Sequence, residues 1–196
     1  MPKNNKVRFG LKNVYYAVAT IADDGSATYA KPVRWPGAVN LSIDPEGDSN
    51  KFFADNIAYA IFTANAGYSG SFESALVPDS FREDVLHEIR DKNGVLVEDS
   101  GAATGHFALL FQFEGDANAI RHVLYNCTAA RSGVEGATTE SSVEVQTESL
   151  DINAASIYSP ALDKDIVKAK IADVDSAVYA GWFNNVYLPE ADDGEG

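Results

Sequence analysis

The sequence is poor in the residues that most chemistry is built from. It has one cysteine, one methionine and three histidines among 196 residues. The lone thiol, Cys127, can form neither an intramolecular disulfide nor a multi-thiolate metal centre. His87, His106 and His122 are scattered, with no H-x-x-x-H or HExxH spacing, so no histidine-built metal site is expected. Positive charge is short as well. Fifteen Lys and Arg face 29 Asp and Glu, a formal net charge of -14, whereas a surface that grips nucleic acid carries the opposite sign. Long apolar runs are missing too. No run exceeds six residues, and FALLF at 107–111, like the others, falls far short of the roughly 20 residues that cross a bilayer as a helix. The opening MPKNNKVRFG has lysines with no apolar stretch behind them, so no secretory signal is expected and the reading is a soluble protein made in a reducing cytosol.

What is present is the material of one globular core: 45% hydrophobic and 11% aromatic residues in a chain of single-domain length. Val14, Tyr16 and Val18 alternate as in a strand, DDGS at 23–26 is a turn, and 28–33 returns as the hairpin partner. Trp35-Pro36-Gly37 breaks that pairing. VNLSI at 39–43 begins another strand and DPEGDSN at 44–50 is turn chemistry. Residues 57–64 and 68–76 read as two strands around Asn65-Ala66-Gly67. In the second, Tyr68, Phe72 and Leu76 face the core while Ser69, Ser71 and Glu73 face water. Ser80 and Glu83 fit a capping box that opens one helix, with Phe81, Val85, Leu86 and Ile89 as its apolar stripe and Asn93-Gly94 as its end. Strands follow at 106–114, 121–129 and 142–152, and 177–189 is ambiguous between helix and strand. The expected fold is mainly β with one flanking α-helix, two packed antiparallel sheets forming a sandwich or open barrel.

The search for catalytic motifs returns structural readings. Cys127 and His122, five apart on one strand, are expected on opposite faces and make no dyad. GYSG at 67–70 is not G-x-S-x-G and lacks the strand-turn-helix setting of a nucleophile elbow. Asp44, Glu46 and Asp48 alternate like cation ligands, but Ser49 stands where an EF-hand loop needs glycine. The reading is no catalytic, cofactor or metal site.

Five segments carry a resemblance: VNLSIDPEGDSNKFFADNIAY, NAGYSGSFESALVPDSFREDVL, HFALLFQFEGD, RHVLYNCTAARS and VEVQTESLDI, in this order from 39 to 152. Together the chain resembles the major tail protein, or tail tube protein, of long non-contractile-tailed bacteriophages of Gram-positive hosts. The resemblance implies one tail-tube domain over 1–196, with a flexible arm at 1–8 (Lys3, Lys6, Arg8) and a disordered acidic tail at 190–196. It further implies a virion structural protein, made in the host cytoplasm, whose copies form stacked, hexameric rings. Those rings would be the conduit for genome ejection, meeting a tape measure protein and the tail terminator and distal tail proteins, with DNA passing unbound. An inter-ring loop would then comprise Asp44, Pro45, Glu46, Gly47, Asp48, Phe52 and Phe53, and Ser69, Ser71 and Glu73 would line the lumen. Two other classes stay open: a monomeric virion accessory or receptor- or carbohydrate-binding β-domain, and a hydrolase using dispersed acidic residues.

Overall fold

A computed structural model describes residues 10–191 apart from 48, 55–56, 64, 115–117, 135, 137 and 139–144, and for residues 49–54 and 57–63 the backbone alone. β1 (Leu11–Ile21) turns back onto β2 (Ala27–Tyr29) and then β3 (Val33–Arg34), both on the same edge of β1. The turn is tight because Asp24 Oδ1 accepts from both the backbone N–H and the hydroxyl of Ser26, at 2.9 and 2.6 Å, and Gly25 takes φ +81°. Those two bonds also hold the Asp24 carboxyl below its ordinary range. Next come β4 (Ala38–Glu46), β5 (Ser49–Ala54), β6 (Ile57–Thr63), β7 (Gly67–Ser74), α1 (Asp79–Asp84), β8 (Ile89–Arg90) and β9 (Leu96–Val97). The chain ends with β10 (His106–Phe113), β11 (Arg121–Ala129), β12 (Glu148–Ala155), β13 (Ile157–Ser159), β14 (Lys164–Ile166), β15 (Lys168–Ile171) and α2 (Ala177–Gly181).

One antiparallel sheet dominates, in the order β2-β1-β10-β11-β12-β7-β4. It forks at β11, whose first half pairs with β15 and whose second half pairs with β12. The sheet curls far enough for β4 to touch β1, but no hydrogen-bonded ladder joins them and no barrel closes.

Period-two alternation along the central strands feeds two separate cores. Tyr16, Phe107, Leu109 and Leu124 point into the curl. Their neighbours Ala17, Ala108, Leu110 and Tyr125 point out of it. FALLF is therefore a strand buried on both faces, which is why it reads as an unbroken apolar run. The inner core is plugged at one end by α1. Phe81 packs edge-on against Tyr16 and Phe107 with centroids 5.1 Å from each, and Trp35 donates to Ser74 Oγ at 2.9 Å. Each such aromatic pair adds about 0.5–1.5 kcal/mol beyond area burial. Arg82 fixes the plug to β12 through Glu148 at 2.9 and 3.0 Å. The outer core is covered by the C-terminal segment. Trp182 is buried, Phe183 stacks on Tyr15 at 4.8 Å, and Arg121 lies over the Tyr179 ring at 3.7 Å while donating to the Tyr179 carbonyl.

Several expectations change. The protein is mainly β, but with one large sheet plus small ones in place of two packed sheets, and with two short helices in place of one. Pro78, not Ser80, caps α1, and Glu83 binds Arg90 at 2.5 Å instead of closing a capping box. The helix stops at Asp84 because His87 takes φ +57°, and Ile89, the last residue of the expected stripe, is 59% exposed. Asn93-Gly94 belongs to the β8–β9 turn, where Asp91 Oδ1 accepts from Asn93 and Val95 N–H at 2.8 Å each. Leu76 lies past the end of β7 and is 71% exposed. The strands flanking Asn65-Ala66-Gly67 do not pair: β6 pairs with β5, and β7 lies between β4 and β12.

Candidate functional site

Beyond the fork, the sheet has one dry face and one wet one. On β12, Leu150, Ile152 and Ala154 are buried while Ser149, Asp151 and Asn153 are exposed. β7 continues the pattern, with Phe72 inward and Ser69, Ser71 and Glu73 outward. β4 completes it, with Leu41 and Ile43 packed on the inner core and Ser42, Asp44 and Glu46 in water.

Register aligns the outward residues into rows across three strands. Asn40, Glu73 and Ser149 form one row; Ser42, Ser71 and Asp151 the next; Asp44, Ser69 and Asn153 the third. Directly opposed residues sit about 5 Å apart, so each row is a line of small polar groups with one carboxylate. In two of the rows a serine on β7 stands between one acid and one neutral side chain, and the two acids, Asp44 and Asp151, lie two strands apart in adjacent rows. Two strand spacings, roughly 10 Å, slightly exceed the Debye length of roughly 8 Å at physiological salt, so these two like charges coexist. Asp44, Glu46, Glu73 and Asp151 make no ion pair among the described residues, though Glu73 accepts from Thr147 Oγ1 at 2.6 Å. Among the described residues the face is acidic, serine-rich and free of lysine and arginine.

Glycine shapes its floor. A side chain at Gly70 would meet the Ser42 carbonyl at 1.9 Å, and one at Gly67 would meet the Ala154 carbonyl at 2.3 Å. β4, β7 and β12 thus approach closely at this end, and a β-carbon at either position would force them apart.

The expected site residues divide in an unforeseen way. Asp44, Pro45 and Glu46 are not loop residues. They are the last turn-free part of β4, paired with Ser69, Tyr68 and Gly67, and Pro45 is tolerated because β4 is an edge strand. Asp44 and Glu46 therefore join Ser69, Ser71 and Glu73 on one face. Gly47 follows the strand, and Asp48 lies outside the described residues, as do Lys3, Lys6 and Arg8. Phe52 and Phe53 fall on β5, which pairs with β6 in a hairpin that joins no other strand among the described residues. The hairpin leaves the sheet where β4 ends and β7 begins. Asp151, Asn153 and Ser42 were missed, although the alternation S-L-D-I-N-A at 149–154 carries the signal.

Among the described residues no cluster of His, Cys, Asp and Glu could hold a metal ion. A bulge in β11 between Leu124 and Cys127 overturns the expected opposition of Cys127 and His122: Cys127 returns to the inner face with Leu124, the face on which His122 stacks against Phe111. Burial pushes the Cys127 thiol up to about 12, opposite to the shift that activates a nucleophile. Ser69 sits in mid-strand, far from the strained turn of a nucleophile elbow. His87 donates from Nδ1 to the Ala103 carbonyl at 2.7 Å, and His106 pairs with Asn126 Oδ1 at 2.7 Å. Compared with known proteins, the chain matches no family model and no curated relative.

Proposed function

We propose that this chain is a self-assembling structural protein of the tail-tube type, whose copies form stacked, hexameric rings around a channel for genome delivery. The observation that carries the reading is the wet face of β12, β7 and β4, a continuous acidic and serine-rich surface that runs out to an open sheet edge at β4. An open edge is a template for another chain. A wall of this chemistry repels a polyanion at close range, because it offers no cation to exchange for phosphate counterions. The β5–β6 hairpin supports the stacking part of the reading. A two-stranded hairpin alone is marginally stable in water, and a sequence as apolar as FFADNIAYAIF gains by packing on another copy. In the virion, the tape measure protein would occupy the channel during assembly, and terminator and distal tail proteins would meet the tube ends.

Size-exclusion chromatography and negative-stain microscopy of the concentrated full chain test this. Rings or tubes are expected. A protein that stays monomeric at every concentration overturns the proposal and favours the monomeric binding domain, for which the aromatic cavity described next is the supporting feature.

A further inference from the structure

The end of the curled sheet away from α1 is open, and a cavity of 370 Å³ lies there. Tyr68, Phe111 and Phe113 are its aromatic walls and Leu41, Ile43 and Leu124 its aliphatic lining. Its polar lining is Ser42, His122 and Lys168, with no carboxylate. Lys168 Nζ stands 4.3 Å from the Tyr68 ring centre, and Lys170, two residues on along β15, points to the same side. Neither lysine makes an ion pair among the described residues, in a chain with 29 acidic side chains to 15 basic ones. An apolar slot with unneutralised cations at its rim fits an occupant that carries carboxylates beside an apolar side chain.

We propose that this cavity is the socket for the C-terminal segment of a second copy of the chain, with Leu188 entering between the aromatic walls and Glu190 pairing with Lys168. The inference rests on the self-assembly reading above. Leu188 and Glu190 are exposed, and Pro189 between them keeps Leu188 out of the helical region. The sequence continues Asp192-Asp193-Gly194-Glu195, three further carboxylates in a segment that lies outside the described residues. In their own chain Leu188 and Glu190 lie beside Val178 and Gly181 of α2, on the outer-core side of the sheet. The cavity opens on the inner-core side. Tail and socket thus belong to different surfaces of one molecule, so the contact is head-to-tail. Such a contact does not close as a symmetric pair; it propagates into a ring or a filament.

A charge swap in the full chain tests the pairing, read by sedimentation velocity and negative-stain microscopy, with thermal unfolding as the control for folding. Lys168→Glu and Glu190→Lys are each expected to weaken self-association by about tenfold or more, and the double variant to recover most of it. Leu188→Ser is expected to weaken it without lowering thermal stability. Single variants that assemble like the unmodified chain, or a double variant no better than the worse single one, overturn the socket while leaving the self-assembly reading intact. An unmodified chain that never associates overturns both. Assembly indifferent to the swap but blocked by added decanoate assigns the cavity to a small amphiphile and also overturns the socket.

Discussion

The strands on either side of the fork in β11 are built on different terms. β1, β10 and β11 are buried on both faces along their centres, so the side chains there answer to packing. β12, β7 and β4 are buried on one face, so every second residue is free to answer to something else. Hydrophobicity in the first group specifies the fold. In the second it specifies only one face, and the pattern of acids and serines on the other cannot be explained by stability.

The sharpest way to break the comparison is truncation. Leu109→Ala and Leu110→Ala open holes in the inner and outer cores respectively, where both side chains are fully buried. Each is expected to cost about 2–5 kcal/mol, while Ser71→Ala on the wet face stays within about 0.5 kcal/mol. Urea unfolding followed by tryptophan fluorescence measures all three. A costly Ser71→Ala would show that the wet face is structural after all.

Alkali attacks the same half next. Burial pushes Tyr16 from 10.0 to about 12 and Cys127 from 9.0 to about 12, and raises Tyr29 and Tyr125 as well. Because the folded values lie above the unfolded ones, this contribution is complete below about pH 9 and is lost as pH rises through about 12. Cooperative loss of near-ultraviolet circular dichroism in that window is expected. A flat signal up to pH 12 would mean these groups are less buried than they stand here.

A smaller effect should come from the cover of the outer core. Ser176 Oγ accepts from Tyr179 N–H at 3.0 Å and caps α2, so Ser176→Ala is expected to lose about 1 kcal/mol. A change below a few tenths in the same urea assay would mean that Arg121 and the aromatic stack hold the segment by themselves.

On the wet half, Glu73→Lys is expected to shift stability by no more than about 0.5 kcal/mol. Under the tube reading it leaves assembly intact and slows DNA release, more at low salt than at high. Release kinetics from virions carrying the variant check this. Unchanged kinetics at every ionic strength, with tubes intact, would remove this face from the channel.

Much of the first half was legible in the sequence. β1, β2, β10 and β11 announce themselves by alternation or by an apolar run, and the DDGS turn by its chemistry. The errors lie where local signals have two structural uses. Phe81, Val85 and Leu86 are an apolar stripe at helical spacing, but they need only one and a half turns to plug a core, and Asp91 then directs the chain into a hairpin. DPE at 44–46 has turn composition, yet an edge strand with one face in water tolerates both proline and acids. The pairing of β7 with β4 and β12 depends on long-range contacts that no local pattern encodes, so the face was glimpsed on one strand and completed by three.

The bulge in β11 has a genetic consequence. It is one extra residue between Leu124 and Cys127, and without it the strand alternates regularly from Leu124 through Tyr125 to Cys127. Deleting the codon for Asn126 would keep the reading frame and leave Cys127 and Ala129 on the inner side. What it would remove is the side chain that meets His106 at 2.7 Å and donates to the Ser156 carbonyl at 3.2 Å. At this position the loss of one amino acid spares the core, so natural variants of the chain can differ here in length as well as by substitution.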